Sequence, residues 1–355
     1  MSRTWLKWMP AVVVPVLIAS VAVAVPLSAN AAVNLPAKTP AQVLALAAGA
    51  KVTAFSGTVT QSSNLGLPAL PTTGADASAG SVLELLTGSH SARVYLNGTT
   101  KQRLQVLDSM AERDLVRNGS DVWLYDSQKK TAAHSTLTGA MTESAQTERS
   151  ILTPDGLAAK FLSSVDSSTI VSLGEDLRVA GRTAYELVLT PKAAETLIGS
   201  VSIAVDSETG LPLSVDLAAR GQKAPAFSVG FSKLDLRTPD SSLFTFTPPA
   251  GTKVTESTPK SNAAREASPH PDATGPTVSG TGWDAILAIP AGTSGAAGKN
   301  MSSLTTSPLF GKLTTPVTGG RLFQTSLVTV LLANDGRVFA GSVPVAKLQA
   351  AAATK

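Results

Sequence analysis

The stretch that decides the fold is Arg178-Val-Ala-Gly-Arg-Thr-Ala-Tyr-Glu-Leu-Val-Leu-Thr-Pro-Lys192, followed by Val201-Ser-Ile-Ala-Val-Asp-Ser-Glu-Thr-Gly-Leu-Pro-Leu213. Apolar and polar residues alternate in both, which is typical of antiparallel strands with one buried face. The residues that share this face are Tyr185, Leu187 and Leu189 in the first stretch and Val201, Ile203 and Val205 in the second. The two stretches therefore predict part of a large curved antiparallel sheet.

Strand patterns recur at short intervals along the chain, within these stretches and on both sides of them. They fall at 55–60, 81–86, 91–96, 101–107, 112–117, 121–125, 177–179, 184–190, 201–206, 211–217 and 226–235. Helices are predicted at 41–50 and 156–165, because Thr39-Pro40 and Thr153-Pro154 each place a capping residue before a proline. The expected fold class is α+β: a large curved antiparallel sheet covered by helices, plus a small C-terminal α/β-hairpin module.

The N-terminal segment has the composition of an export signal. Arg3 and Lys7 precede an uncharged apolar run from Pro10 to Leu27, and Ala29-Asn30-Ala31 matches the small-x-small pattern of a cleavage site. We therefore predict a signal peptide at 1–31 and an extracytoplasmic location. An uncleaved membrane anchor is the alternative, although the run is marginal in length for a bilayer.

The rest of the chain divides into a large domain at 32–254, a flexible linker at 255–281 and a small module at 282–355. The linker is rich in Ser, Thr, Pro, Ala and charged residues, a composition of flexible connections. In the module we predict a short helix at 283–289 and a hairpin of 321–333 with 337–343. Asn334-Asp335-Gly336 supplies the turn of that hairpin.

The composition argues against several kinds of chemistry. The chain has no cysteine, so neither a disulfide nor a lipid attached to an N-terminal cysteine is available. Its three histidines are far apart, which predicts no metal site. Removing Arg3 and Lys7 lowers the formal charge from +4 to +2, and no basic run with interleaved aromatic residues suggests nucleic acid.

Catalytic residues are not predicted either. No nucleophile elbow or phosphate-binding loop occurs in the sequence. Glu112 and Asp114 would share a strand face, but with Arg113 and Arg117 beside them a solvated charged face is the favoured interpretation. The sequence therefore predicts a protein that is not an enzyme and has no cofactor.

Aromatic residues leave two interpretations open. Trp123 and Tyr125 share one strand face, opposite Val122 and Leu124. Either they belong to an ordinary core between sheet and helices, or they line a hydrophobic pocket there. Periodicity alone favours the ordinary core, because any folded sheet needs one apolar face.

Several motifs, in this order, resemble the LolA-like superfamily, which includes the LolA and LolB lipoprotein carriers and the RseB (MucB) regulators of sigma-E. The similarity is strongest to exported actinobacterial LolA/RseB-like proteins. The motifs are Phe55-Ser-Gly-Thr-Val59, Leu65-Gly-Leu-Pro-Ala-Leu70, Asn118-Gly-Ser-Asp-Val-Trp-Leu-Tyr125, Val179-Ala-Gly-Arg-Thr-Ala-Tyr185, Leu189-Thr-Pro-Lys192, Asp206-Ser-Glu-Thr-Gly-Leu-Pro-Leu213 and Phe244-Thr-Phe-Thr-Pro-Pro249.

This resemblance implies an unclosed half-barrel of about eleven strands, covered by helices, that binds acyl chains or hydrophobic peptide segments without catalysis. The expected ligand is a lipid or lipoprotein acyl chain. The residues expected to face the cavity are Phe55, Val59, Trp123, Tyr125, Tyr185, Leu187 and Ile203.

The alternative is an RseB-like regulator that binds a membrane-anchored anti-sigma factor or another membrane partner. The two-domain layout and the linker favour it. The hairpin module would then be the docking element, with contacts expected from Leu322, Val328, Val330, Val338 and Phe339.

Overall fold

The structure is a computed structural model that describes residues 33–67, 88–108, 111–137, 153–256, 276–291 and 310–354. Within these residues the chain forms a large sheet of thirteen strands and a second sheet of six. The predicted signal peptide and the predicted strand at 81–86 lie outside the described residues. The α+β fold class is confirmed.

Within the described residues, the large domain contains two helices and the thirteen strands of the large sheet. In chain order its elements are α1 (Pro40–Ala48), β1 (Ala54–Ser63), β2 (Gly88–Asn97), β3 (Lys101–Asp108), β4 (Ala111–Asn118), β5 (Asp121–Asp126), β6 (Thr131–Thr136), α2 (Pro154–Ser163), β7 (Thr169–Leu173), β8 (Leu177–Val179), β9 (Arg182–Pro191), β10 (Ile198–Asp206), β11 (Pro212–Ala219), β12 (Pro225–Asp235) and β13 (Lys253–Glu256). The strands β6, β7 and β13 were not predicted from the sequence.

The strands lie in the order β13-β6-β5-β4-β3-β2-β1-β12-β11-β10-β9-β7, with β8 paired to β9 outside this path. All neighbours are antiparallel except β13, which runs parallel to β6. Within the described residues β7 and β13 are the two ends of the order and do not pair with each other, so the sheet is an unclosed half-barrel.

The two helices cover one side of the sheet, which we call the inner face. Helix α1 packs on β7, β9 and β10, and α2 packs on β11 and β12. The buried core lies between them and the sheet, and includes Val43 of α1, Ala158 of α2 and Leu187 of β9. The opposite side is called the outer face.

The helix starts follow from their capping residues. Thr39 accepts a hydrogen bond from the backbone N–H of Gln42, the Gln42 side chain accepts one in return from the Thr39 N–H, and Pro40 opens α1. In α2, Thr153 precedes Pro154 but makes no capping hydrogen bond with its side chain. Both predicted helices are confirmed.

The described part of the C-terminal module is a six-stranded sheet with two helices. Its elements are β14 (Thr277–Ser279), β15 (Ile286–Ile289), α3 (Phe310–Leu313), β16 (Thr314–Val317), β17 (Gly320–Gln324), β18 (Thr329–Ala333), β19 (Val338–Gly341) and α4 (Val345–Ala353), and its sheet order is β14-β15-β19-β18-β17-β16.

Two predictions for this module are wrong. The segment 283–289 is a short 3-10 turn followed by β15, because pairing with β19 extends the chain and buries Ile286. The predicted strand 321–333 is two strands. Thr325 and Val328 bond to each other through their backbones at 2.8 Å, which turns the chain between β17 and β18.

The predicted linker is shorter in the structure than in the sequence interpretation. β13 extends the large sheet to residue 256, and β14 already pairs with β15 in the small sheet. Both strands lie partly or wholly inside the range 255–281. Residues 257–275 lie outside the described residues. No helix of the described residues is long and apolar enough to cross a bilayer.

Candidate functional site: an apolar cavity on the inner face

The strand register places an apolar row across β3–β6. Leu104 pairs with Leu115, Leu115 with Leu124, and Leu124 with Ala133. Through β2, where Val94 pairs with Leu104 and with Gly57 of β1, this row continues the helix-covered inner face. The apolar row is therefore on the same side of the sheet as the core.

A cavity of about 560 Å³ lies over this row. Its apolar walls include Leu104, Val106, Leu115 and Leu124. Leu124 is 52% exposed, which is unusual for a leucine on the helix-covered side of a sheet. A volume of this size falls within the range of roughly 300–1,000 Å³ found for small-molecule pockets, which are mostly apolar.

The cavity exists because the inner face is covered unevenly. Both helices pack over β7 and β9–β12, where the core residues are sealed. Of the two helices that the structure describes in this domain, neither makes comparable contact with β3–β6, and Leu124 on this half is exposed. One face thus combines a closed core with an open apolar cavity.

Charged and polar residues border one end of the cavity. Arg113, Asp126 and Thr131 each lie two residues along the strand from a member of the apolar row and are in register with each other across β4–β6. Partial burial raises the pKa of Asp126, but hydrogen bonds and charge from Lys129 outweigh it and hold the pKa below its ordinary value. Asp126 is therefore an ionised group at this end of the cavity at neutral pH.

Five of the predicted cavity residues lie on the inner face but inside the closed core. Phe55, Val59, Tyr185, Leu187 and Ile203 are at most 4% exposed and belong to the core cluster. The Tyr185 hydroxyl donates a hydrogen bond to the carbonyl oxygen of Pro36 at 2.9 Å. These residues fill the closed half of the inner face, so the structure does not place them in the wall of the cavity.

The other two predicted cavity residues point the opposite way. The rings of Trp123 and Tyr125 lie on the outer face, where Phe246 contacts them at centroid distances of 5.5 and 5.4 Å. His134 stacks on Trp123 at 4.3 Å. Tyr125 is at the cavity border only because it lies between Leu124 and Asp126 in β5, and both of these residues line the cavity. The prediction that Trp123 lines one cavity together with Phe55 and Tyr185 is therefore wrong.

On the outer face, the structure also corrects the interpretation of Asp114 as part of a solvated charged face. This carboxylate is 4% exposed and forms an ion pair with Arg103, whose Nη1 donates to the carbonyl oxygen of Leu243 at 3.3 Å. Burial raises the pKa of Asp114, and the hydrogen bond and charge of Arg103 oppose that rise. Asp114 is thus a buried structural group and not part of a solvated face.

The predicted docking residues divide into two groups. Leu322, Val338 and Phe339 are at most 7% exposed and lie in the interior of the C-terminal module, where they cannot form a docking surface in this conformation. Val328 is 38% exposed, and Val330 is half-buried. Only these two remain available to a partner.

Sequence reasoning missed the residues that line the cavity. The sequence showed by its alternation that Leu104 and Val106 share one strand face, and that Val122 and Leu124 share another. It did not reveal which half of the inner face the two helices leave open.

An open half-barrel with an apolar cavity on its helix-covered side is the architecture of a binding protein. Comparison with known families agrees with the motifs: residues 84–240, just under half of the chain, match the MucB/RseB N-terminal domain. This segment contains β2–β12 and therefore nearly all of the cavity wall. The resemblance to LolA-like and RseB-like proteins is thus confirmed. Among curated proteins, no match is found.

Solved structures give weaker similarities. The Pseudomonas aeruginosa MucA/MucB complex has 16% identity over 88% of this chain and 96% of that chain, with a TM-score of 0.42. An uncharacterized conserved protein from Thermus thermophilus has 12% identity over 61% and 98%, with a TM-score of 0.35. A LolA superfamily protein from Nitrosomonas europaea has 12% identity over 59% and 99%, with a TM-score of 0.24.

Proposed function

We propose that this chain is an extracytoplasmic, non-enzymatic binding or carrier protein that holds acyl chains of lipid or lipoprotein in the cavity over β3–β6. The observation that carries the proposal is the apolar row Leu104–Leu115–Leu124, in which Leu124 is 52% exposed and the other two are half-buried, on a face whose other half is sealed core. An acyl chain in this cavity would remove that row from water at a gain of roughly 25 cal/mol per Å² of apolar surface.

The match to the MucB/RseB N-terminal domain supports binding as the activity. The apolar N-terminal run supports export. The cavity supports an acyl chain in particular, because its walls offer the branched apolar side chains of Leu104, Leu115 and Leu124.

The test is binding of a fluorescent acyl probe to purified residues 32–355. Leu124→Asp places a charge in the cavity and is expected to weaken binding by at least about tenfold, since apolar burial is replaced by carboxylate desolvation. The matched control is Ile170→Asp on β7, because Ile170 is 49% exposed and lies outside the cavity wall. The proposal fails if the wild type takes up no probe, or if both variants bind it equally well.

The second candidate is an RseB-like regulator that binds a membrane-anchored anti-sigma factor. The family match favours it, since MucB is the protein solved together with MucA. We expect Val328→Asp to reduce recovery of a membrane partner in a cross-linked pull-down from host membranes. Val278→Asp, at a 67% exposed position of the same module, is the control. Recovery of no membrane protein by the wild type would reject this candidate.

A further inference from the structure

The cavity ends differently on its two sides. Beyond the apolar row on one side, the next inner-face residues of β4 and β5 are Arg117 and Val122, which are 1% and 6% exposed and do not line the cavity. The Arg117 Nε donates to the carbonyl oxygen of Gly119 at 2.9 Å, away from Leu115. This end is therefore closed and offers no space to a polar group of a ligand.

The opposite end, which we call the polar end, is lined by hydrophilic side chains. They are Arg113, Asp126 and Thr131, together with Thr255 of β13. Lys253 is in register with Thr131 and shares the strand face of Thr255, because residues two apart in a strand point to the same side. β13 therefore adds a lysine to the row that Arg113 begins.

The charges at the polar end do not cancel. Arg113 is in register with Asp126, and the Lys129 Nζ lies 3.3 Å from a carboxylate oxygen of Asp126. Lys253 adds a further positive charge, and Lys130 in the turn between β5 and β6 adds another. Among the described side chains at this end, positive charge therefore exceeds negative charge.

These cations are accessible to a ligand. The side chain of Lys129 is 60% exposed, and Lys253 is exposed. An exposed ion pair such as Lys129–Asp126 contributes at most about 1 kcal/mol, so Lys129 can exchange Asp126 for a ligand group at little cost. An anion at the polar end would be attracted by this charge, and a cation would be repelled.

The two ends fix the orientation of an amphiphile in the cavity. Its chain would cover Leu115 and Leu124, and its head group cannot enter the closed end. Arg113 lies two residues from Leu115 on the same strand, a separation of about 7 Å at a rise of about 3.3 Å per residue. A head group joined to the chain therefore falls at the polar end.

We propose that the cavity holds an amphiphile with its chain on the apolar row and an anionic head group at the polar end, between Arg113 and Lys253. This inference rests on the proposed function and adds the ligand class: an acyl chain that carries a carboxylate or a phosphate. Arginine suits either group through its planar fork of donors, and lysine suits either as a point charge.

The test compares ligands that share a chain but differ in the charge of the head group. Oleate, oleoyl lysophosphatidate, oleyl alcohol and oleylamine compete with the neutral dye N-phenylnaphthylamine for purified residues 32–355. We expect the wild type to bind both anionic ligands at least about fivefold more tightly than oleylamine at low salt, with oleyl alcohol between them. The ratio should fall towards one in about 0.5 M NaCl, because salt screens exposed charges.

Lys253→Glu and Lys129→Glu should each lower the ratio of anionic to cationic ligand affinity by at least about threefold. The matched control is Lys233→Glu, which changes the net charge equally at an exposed position of β12 outside the cavity wall and should keep the wild-type ratio. The tighter of the two anionic ligands identifies carboxylate or phosphate as the preferred head group.

The inference is overturned if oleylamine binds the wild type as tightly as the anionic ligands, or if both lysine variants keep the wild-type ratio. Displacement of oleate by inorganic phosphate at similar concentration would also overturn it, in favour of a site for free anions. If none of the four lipids displaces the dye, the proposed function itself fails. Binding of all four without a preference would reject the head-group assignment alone.

Discussion

Asp206 at the end of β10 is a carboxylate that the fold buries completely. Arg182 donates to it from Nη2 at 3.0 Å, and the backbone N–H and hydroxyl of Thr209 each donate at 2.8 Å. Burial by itself would raise the pKa of Asp206, but the hydrogen bonds from Arg182 and Thr209 outweigh it and the pKa lies below its ordinary value. Asp206 thereby ties β9 to the turn after β10.

This pairing predicts a loss of stability in acid. Because the pKa of Asp206 is lower in the folded than in the unfolded chain, its contribution is complete above the ordinary value near pH 4 and is lost as the pH falls further. Asp206→Asn should cost about 3–5 kcal/mol at pH 6 and less at pH 3, as measured by urea unfolding. Glu208→Gln, at a 76% exposed position that also contacts Arg182, should cost under about 1 kcal/mol. An equal cost of Asp206→Asn at both pH values would contradict this prediction.

For Arg117 we expect the opposite effect: removing this buried charge should increase the stability of the protein. Arg117 of β4 is 1% exposed, and its Nη1 has no hydrogen-bond partner within the described residues, so Arg117→Met should raise the free energy of unfolding by about 1–3 kcal/mol. Chemical denaturation measures this change. A destabilised methionine variant would contradict the prediction and show that the hydrogen bond from Nε to the carbonyl oxygen of Gly119 contributes more than the buried charge costs.

At the scale of elements, the turn between β10 and β11 fits closely against the end of α1. Gly210 has a φ of +75°, and a Cβ built there would lie 2.2 Å from the carbonyl oxygen of Leu46. The glycine therefore provides both the left-handed backbone and the space for the helix. This contact fixes α1 over the closed half of the inner face.

Gly210→Ala should consequently destabilise the protein by more than backbone strain alone. Gly98→Ala is the matched control, because Gly98 has a φ of +69° with nothing within 4 Å of a Cβ. The control should cost about 1–2 kcal/mol of left-handed strain, and Gly210→Ala should exceed it by at least about 1 kcal/mol of overpacking. Equal midpoints in chemical denaturation would mean that α1 shifts freely to accept the methyl group.

At the scale of the whole molecule, the C-terminal module is docked on the large domain. The Trp283 ring stacks on Phe161 of α2 at 6.2 Å, and its Nε1 donates to the Thr169 hydroxyl at 2.9 Å. Leu327 belongs to the core cluster of the large domain. Backbone bonds of 2.7 Å from Leu197 to Ser342 and 2.9 Å from Ser326 to Leu65 join the two parts.

These contacts predict that the two parts unfold together. Differential scanning calorimetry of the wild type should show one transition, as expected for a shared core. Trp283→Ala should lower stability by about 2–4 kcal/mol and separate the trace into two transitions. Val278→Ala, at an exposed position of the same module, should leave one transition. Two transitions in the wild type would mean that the interface is too weak to couple the modules.

Local signals account for what could be predicted. Thr39 with Pro40 predicted the start of α1, and the alternation Tyr185–Leu187–Leu189 predicted a half-buried strand, because capping and a period of two depend only on nearby residues. The strand pattern was weaker at β6, whose sequence Thr131-Ala-Ala-His-Ser-Thr136 lacks large apolar residues. β13 was missed for a related reason: its exposed residues are held by pairing with β6 and not by burial.

The sequence by itself determined most strands of the large sheet, the starts of α1 and α2, the turn at Asn334–Gly336 and the resemblance to LolA-like and RseB-like proteins. Only the tertiary structure decided that Trp123 faces outward, that Leu187 is sealed under a helix, and that the open cavity lies over Leu115 and Leu124. The physical reason is that alternation divides a strand into two faces without saying which one is covered. That choice depends on the register of distant strands and on where the helices pack. The same register sets Val122 opposite Arg117, where Arg113 faces Asp126.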